Sequence, residues 1–202
     1  MLSVEELQKL HAEGSIDTVL VVFPDIQGRF MGKRVRSEFF LSELPNNGGS
    51  VEACNYLLAV DVDMNVLEGF ASANWDSGYG DFVCRPDLST LHLVPWCEKT
   101  ALVICDLENH DGSPVVQAPR SILAAQIERA REHNLGVKAG TELEFFLFEQ
   151  SMEQAWDQGF TGLTPSSRYV IDYHILHTTK DEWLIRKIRN DMAEALSLIH
   201  IS

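Results

Sequence analysis

The 202-residue chain is poor in positive charge: 16 Lys+Arg stand against 30 Asp+Glu, a formal net charge of −14. Phosphate binding needs a cationic face, so a general nucleic-acid binder is excluded and attraction to an anionic membrane is weakened. Long apolar runs are also missing. The longest near the front, Val19 to Phe23, is far too short to span a bilayer. The start, Met1-Leu-Ser-Val-Glu-Glu-Leu7, lacks the basic and apolar regions of a signal peptide. Cysteines number only four (Cys54, Cys84, Cys97, Cys105), none in C-x-x-C spacing, and no N-x-[ST] acceptor occurs. Free thiols in a reducing, cytoplasmic setting are the expectation. What is present is ordinary: 45% hydrophobic and 23% charged residues, enough for one large domain or two modest ones.

Ser3 and Glu6 form a capping box for a short first helix that Gly14 can close. Thr18 to Phe23 is β-branched and apolar, a buried strand. Pro24-Asp25-Ile26-Gln27-Gly28 is a turn from which Arg29 to Val35 returns as a second strand. Ser37 to Leu44 has a helical pattern stopped at Pro45-Asn46-Asn47-Gly48-Gly49, and Asn55 to Val60 reads as a central strand. Asp61 to Gly80 lacks periodicity and reads as a long loop, a length usually associated with function. Asp81 to Arg85, Leu91 to Val94 and Ala101 to Leu107 are strand-like, and Asn109 to Pro114 is a turn and a domain boundary. Pro119 opens a helix whose apolar face holds Ile122, Leu123, Ile127 and Ala130, and Gly136 ends it. Thr141 to Glu149 alternates as a strand, and residues 150 to 168 are loop or irregular helix. Tyr169 to Leu176 is extended, and Thr179 with Glu182 caps a last helix through Trp183, Ile188 and Met192. The class is α+β.

Thr141-Glu142-Leu143-Glu144-Phe145-Phe146-Leu147-Phe148 is the segment richest in chemistry. On a strand, Glu142 and Glu144 share a face, roughly 7 Å apart. Two like charges at the end of an apolar face need compensation or water, and hard divalent ions take such oxygen ligands. Spacing alone leaves a solvated face as the default. Gly28-Arg-Phe-Met-Gly32-Lys33-Arg34 fails as a phosphate loop, because the glycines are too close and no Ser or Thr follows the lysine. His174 and His177 face opposite sides of an extended stretch, which is poor chelate geometry. Trp75, Asp76, Tyr79 and Asp81 are candidate ligand contacts in or beside the long loop, with a plain surface loop as the default.

Taken in order, several segments resemble the glutamine synthetase family. They are Asp25-Ile-Gln-Gly28-Arg-Phe-Met-Gly32-Lys33, Arg85-Pro-Asp87-Leu-Ser-Thr90, Val94-Pro95-Trp96, Ile104-Cys-Asp106, Gly112-Ser-Pro114, Pro119-Arg120 and Gly140-Thr-Glu142-Leu-Glu144-Phe-Phe-Leu-Phe148. The surroundings of Asp172-Tyr173-His174 and Ile188-Arg-Asn190 are similar to the branch that uses amines other than ammonia. The resemblance implies an N-terminal β-grasp domain over residues 1–110, followed by a truncated catalytic domain over 111–195 and a non-native tail over 196–202. It further implies coupling of glutamate to ammonia or an amine through γ-glutamyl phosphate formed from ATP. Mg²⁺ or Mn²⁺ would be held by Glu142 (the ion orienting the ATP phosphates) and Glu144 (the ion near glutamate). The family assembles as homo-oligomeric rings. The loop Leu67-Glu-Gly-Phe-Ala-Ser-Ala-Asn-Trp75-Asp76 lacks the Asp-Gly-Ser-Ser stretch of ammonia-using members, which tips the acceptor towards an organic amine. Other metal, ATP and phosphate ligands of the family lie beyond the chain end, so these 202 residues alone are expected to be inactive. The alternative is a non-catalytic β-grasp binding or regulatory module derived from the family.

Overall fold

The computed structural model describes residues 1–76, 78–140, 142, 144–167 and 180–196. Two compact units are built on Met1–Val137 and on Lys138–Met192.

The first unit opens with α1 (Val4–Ala12), whose N-terminus carries the expected capping box: Ser3 Oγ accepts from Glu6 N, and Glu6 reaches back to Ser3 N. Strands β1 (Thr18–Pro24) and β2 (Phe30–Arg36) form an antiparallel hairpin. Helix α2 (Ser37–Asn47) follows, then β3 (Val51–Cys54), β4 (Asp81–Pro86), the two-residue β5 (His92–Leu93), β6 (Thr100–Glu108) and α3 (Pro119–Glu132). The sheet runs in the order β2-β1-β6-β4-β3, with β5 also paired to β6. The β1–β6 pair is parallel and the rest are antiparallel, a mixed α+β arrangement.

Period-2 alternation decides the core. Val19, Val21 and Phe23 of β1 and Ala101, Val103, Cys105 and Leu107 of β6 face one side, where Leu7 and Phe40 from the helices cover them. Val22 and Leu102 turn to the opposite face and meet Val94 in a smaller cluster. Phe23 and Phe82 pack edge-to-face at 5.2 Å.

Several expectations are corrected. Helix α2 continues through Pro45 and ends at Gly48 in the left-handed region. The proline sits in the last turn, and Gly48 N–H still closes on Leu44 O at 3.1 Å. Asn55 to Val60 is not a strand: Asn55–Leu58 is a 3₁₀ turn, and the apolar run is buried by folding over the sheet, which periodicity cannot distinguish from pairing within it. Helix α3 stops at His133, with Asn134 rather than Gly136 taking positive φ.

In the second unit, Glu142 and Glu144 to Leu147 lie in no strand. Among the described residues Phe148 is bridged to Pro165, flanked by Ser166 N to Leu147 O and Glu149 N to Thr164 O, each 2.9 Å. Two helices follow, α4 (Met152–Asp157), with a Ser151/Gln154 capping box, and α5 (Glu182–Leu196). The stretch Tyr169 to Leu176, both histidines in it, and Thr179 lie outside the described residues. Among the described residues no helix is long and apolar enough to cross a membrane.

Candidate functional site

The β1–β2 turn is built around a buried acid. Asp25 is only 1% exposed, and its carboxylate accepts from Gln27 N at 2.9 Å, Arg29 N at 2.8 Å and Arg29 Nε at 2.8 Å. These charge-assisted bonds satisfy it without water. The guanidinium then reaches the long loop, donating to Val62 O at 2.7 Å and Asp61 O at 3.0 Å, while Gln27 Nε2 donates to Val60 O at 2.9 Å. Asp61 closes the loop's first turn by accepting from Asn65 side-chain and backbone N–H groups and from Asp63 N; these bonds hold its carboxyl below the usual range. The long loop is therefore seated on the hairpin at its root.

A second ionic junction ties α3 to the sheet. Arg120 Nε donates to Asp106 at 2.7 Å and its Nη2 to Asp87 at 2.8 Å. Asp87 also caps the 3₁₀ turn Leu88–Thr90, and the Ser89 hydroxyl, with Arg120 adding to it, keeps its carboxyl low. Beside it Arg85 holds Glu108 and donates to Asn47 O and Ser50 Oγ, each 2.7 Å.

The candidate metal ligands lie in the second unit. Glu142 and Glu144 are exposed, and neither makes a hydrogen bond or ion pair with the described residues. As donors they suit a hard divalent ion. Among the described residues, however, no third Asp, Glu, His or Cys joins them into a metal-holding group, so they supply part of a coordination sphere. The loop candidates separate as well. Trp75 and Tyr79 meet edge-to-face at 5.2 Å, Asp76 is exposed, and Asp81 pairs with Cys54 in the β3–β4 ladder. Sequence reasoning picked out Asp25, Asp87, Asp106 and Arg120 only as fragments of motifs. The Asp25–Arg29 spacing was the one local signal for a clamp. The Arg120 fork joins residues 14 and 33 positions apart, and nothing local announces it.

Residues 116–202 match the family described as glutamine synthetase, catalytic domain. Two relatives of this chain are named as ligases that use amines other than ammonia. The chain is 52% identical over 194 residues to a gamma-glutamylethanolamide synthetase of Streptomyces coelicolor, covering 96% of this chain and 42% of the relative. It is 33% identical over 195 residues to a glutamate–isopropylamine ligase of a Pseudomonas species, covering 96% and 41%. A crystal structure of a glutamine synthase homologue aligns with 58% of this chain and 27% of its own, with 24% identity and a TM-score of 0.47. The chain thus spans about two fifths of the length of the curated relatives it matches.

Proposed function

We propose that these residues are part of an ATP-dependent glutamate–amine ligase, with an organic amine favoured over ammonia as acceptor. The 52% identity to a γ-glutamyl-amide-forming enzyme over nearly the whole chain carries the reading. In the reaction, the γ-phosphoryl group of ATP passes to the glutamate γ-carboxylate, giving γ-glutamyl phosphate and ADP. The amine nitrogen then attacks the acyl carbon, phosphate leaves, and the nitrogen loses a proton to give a γ-glutamyl amide.

Glu142 and Glu144 would hold the Mg²⁺ or Mn²⁺ ions. Bound there, such ions neutralise charge on the transferring phosphoryl group. Two exposed carboxylates with no ion pair among the described residues support this, since neither must first break one. In this reading residues 1–110 form a β-grasp domain, residues from 111 open the catalytic domain, and the protein works in the cytoplasm as a homo-oligomeric ring. The mixed sheet with α1 and α2 over one face supports the β-grasp assignment. The test is ATP-dependent formation of γ-glutamyl amides from glutamate and a panel of amines by the full-length gene product. Turnover with at least one organic amine is expected, and Glu142→Gln or Glu144→Gln should lower it at least about 100-fold. Failure with every amine and with ammonia would overturn the ligase reading, in favour of a non-catalytic module.

A further inference from the structure

Helix α3 lies inside the region matched to the glutamine synthetase catalytic domain, whereas strands β1 to β6 all precede that region. Apolar packing does not set how the helix leaves the sheet. None of its residues is buried, and a hollow of about 690 Å³ lies against it. Leu107 and Glu108 line that hollow from β6, Ile122, Ala125 and Gln126 from α3, and Val116 from the connection between them.

The chain enters α3 through Val115 and Ala118, both buried, with Val115 N donating to Leu107 O at 2.9 Å. These anchors fix a point, and a helix pinned at one point can still swing about it. Ala118, the N-cap, offers no side-chain hydrogen bond to the first turn. Among the described residues, Arg120 is the one side chain of α3 that hydrogen-bonds to another element; Arg129 and Arg131 bond within the helix. Its guanidinium is forked, with Nε on Asp106 of β6 and Nη2 on Asp87, the cap of the 3₁₀ turn Leu88–Thr90. Two acceptors on separate segments define a direction, which a single contact cannot. Both are held in turn. Asp106 pairs with Arg85 in the β4–β6 ladder, and Asp87 accepts from Ser89 N at 3.1 Å and Ser89 Oγ at 2.6 Å. A planar guanidinium with fixed donor angles imposes the direction, whereas an ammonium on a flexible stem does not.

We propose that Arg120 is a positioning residue whose fork sets the angle at which the first helix of the matched region leaves the N-terminal sheet. A role for that angle in ligation rests on the ligase reading; the angle itself does not. ¹H–¹⁵N residual dipolar couplings of the 202-residue chain, aligned in a stretched polyacrylamide gel, read the helix direction against the strands. In the wild type the amides of α3, β1 and β6 are expected to fit one alignment tensor. Arg120→Gln should reduce the α3 couplings at least about twofold while those of β1 and β6 keep their values. Arg120→Lys, still cationic, should lose nearly as much, because it cannot reproduce the fork. Asp106→Asn leaves one charged prong and should lose less. Separate tensors in the wild type, unchanged α3 couplings in Arg120→Gln, or full retention in Arg120→Lys would overturn the proposal. So would loss of the strand couplings together with those of α3, since Arg120 would then hold the fold and not the helix angle. No nucleotide, glutamate or amine is added, so failure here leaves the ligase reading standing, and failure of the amine panel leaves this result standing.

Discussion

At Gly32 the backbone adopts φ +144°, and a Cβ there would overlap Val21 O on the paired strand. Gly32→Ala is therefore expected to cost about 3 kcal/mol, read as a lowered urea midpoint, because neither the dihedral nor the backbone contact can relax cheaply. Asp25 sets a second residue-scale test. Asp25→Ala leaves Arg29 and two backbone N–H groups without their acceptor and should cost about 3 kcal/mol by the same measurement. A loss below about 0.5 kcal/mol would show that water replaces the carboxylate. The thiols give a third: burial pushes Cys84 up to about 12 and Cys105 further still. In native protein at pH 8 a thiol reagent should leave both unlabelled and react with Cys54 and Cys97, which are partly exposed. Strand-like neighbours, Tyr56-Leu57-Leu58 and Val103-Ile104, suggest buried thiols; Cys105 is buried, whereas Cys54 is partly exposed. The clamp on Asp25 was not legible, since the sequence marks a turn without saying which donors converge on it.

Among the elements, the Asp87–Arg120 junction makes a pH prediction. The Asp87 carboxyl is depressed in the folded state, chiefly by Ser89 and further by Arg120. Its contribution is complete above the unfolded value and is lost as pH falls through the lower folded one, so it fades on acidification below about pH 5. Asp87→Asn should flatten that acid limb of the urea midpoint while lowering the midpoint at pH 7; an unchanged limb would remove Asp87 from the account. At this scale legibility followed periodicity. Strands β1, β4 and β6 were read nearly to their ends because their apolar runs are β-branched and their turns carry Pro, Gly or Asp. Asn55 to Val60 misled because a 3₁₀ turn can bury Leu58, Ala59 and Val60 as fully as a strand can. The acidic segment from Glu142 misled differently: among the described residues, Glu142 and 144–147 lie in no strand despite their alternation.

Across the molecule the two compact units differ in how well they are covered. The first encloses a continuous core from Leu7 to Ala118. Yet α3 has no buried residue, and Ile122 and Leu123 are exposed on it, as are Phe145 and Phe146 beside the two glutamates. The sequence motifs made the resemblance to a family legible because their order survives even where each is short. The proposed metal centre could be read only as two acids, because a coordination sphere is assembled from distant segments. Its decisive measurement is Mn²⁺ binding to the full-length protein by electron paramagnetic resonance, in the presence of glutamate and a non-hydrolysable ATP analogue. Glu142→Gln and Glu144→Gln should each weaken Mn²⁺ at least about tenfold while the fold persists, whereas wild-type Mn²⁺ affinity in both variants would contradict the account.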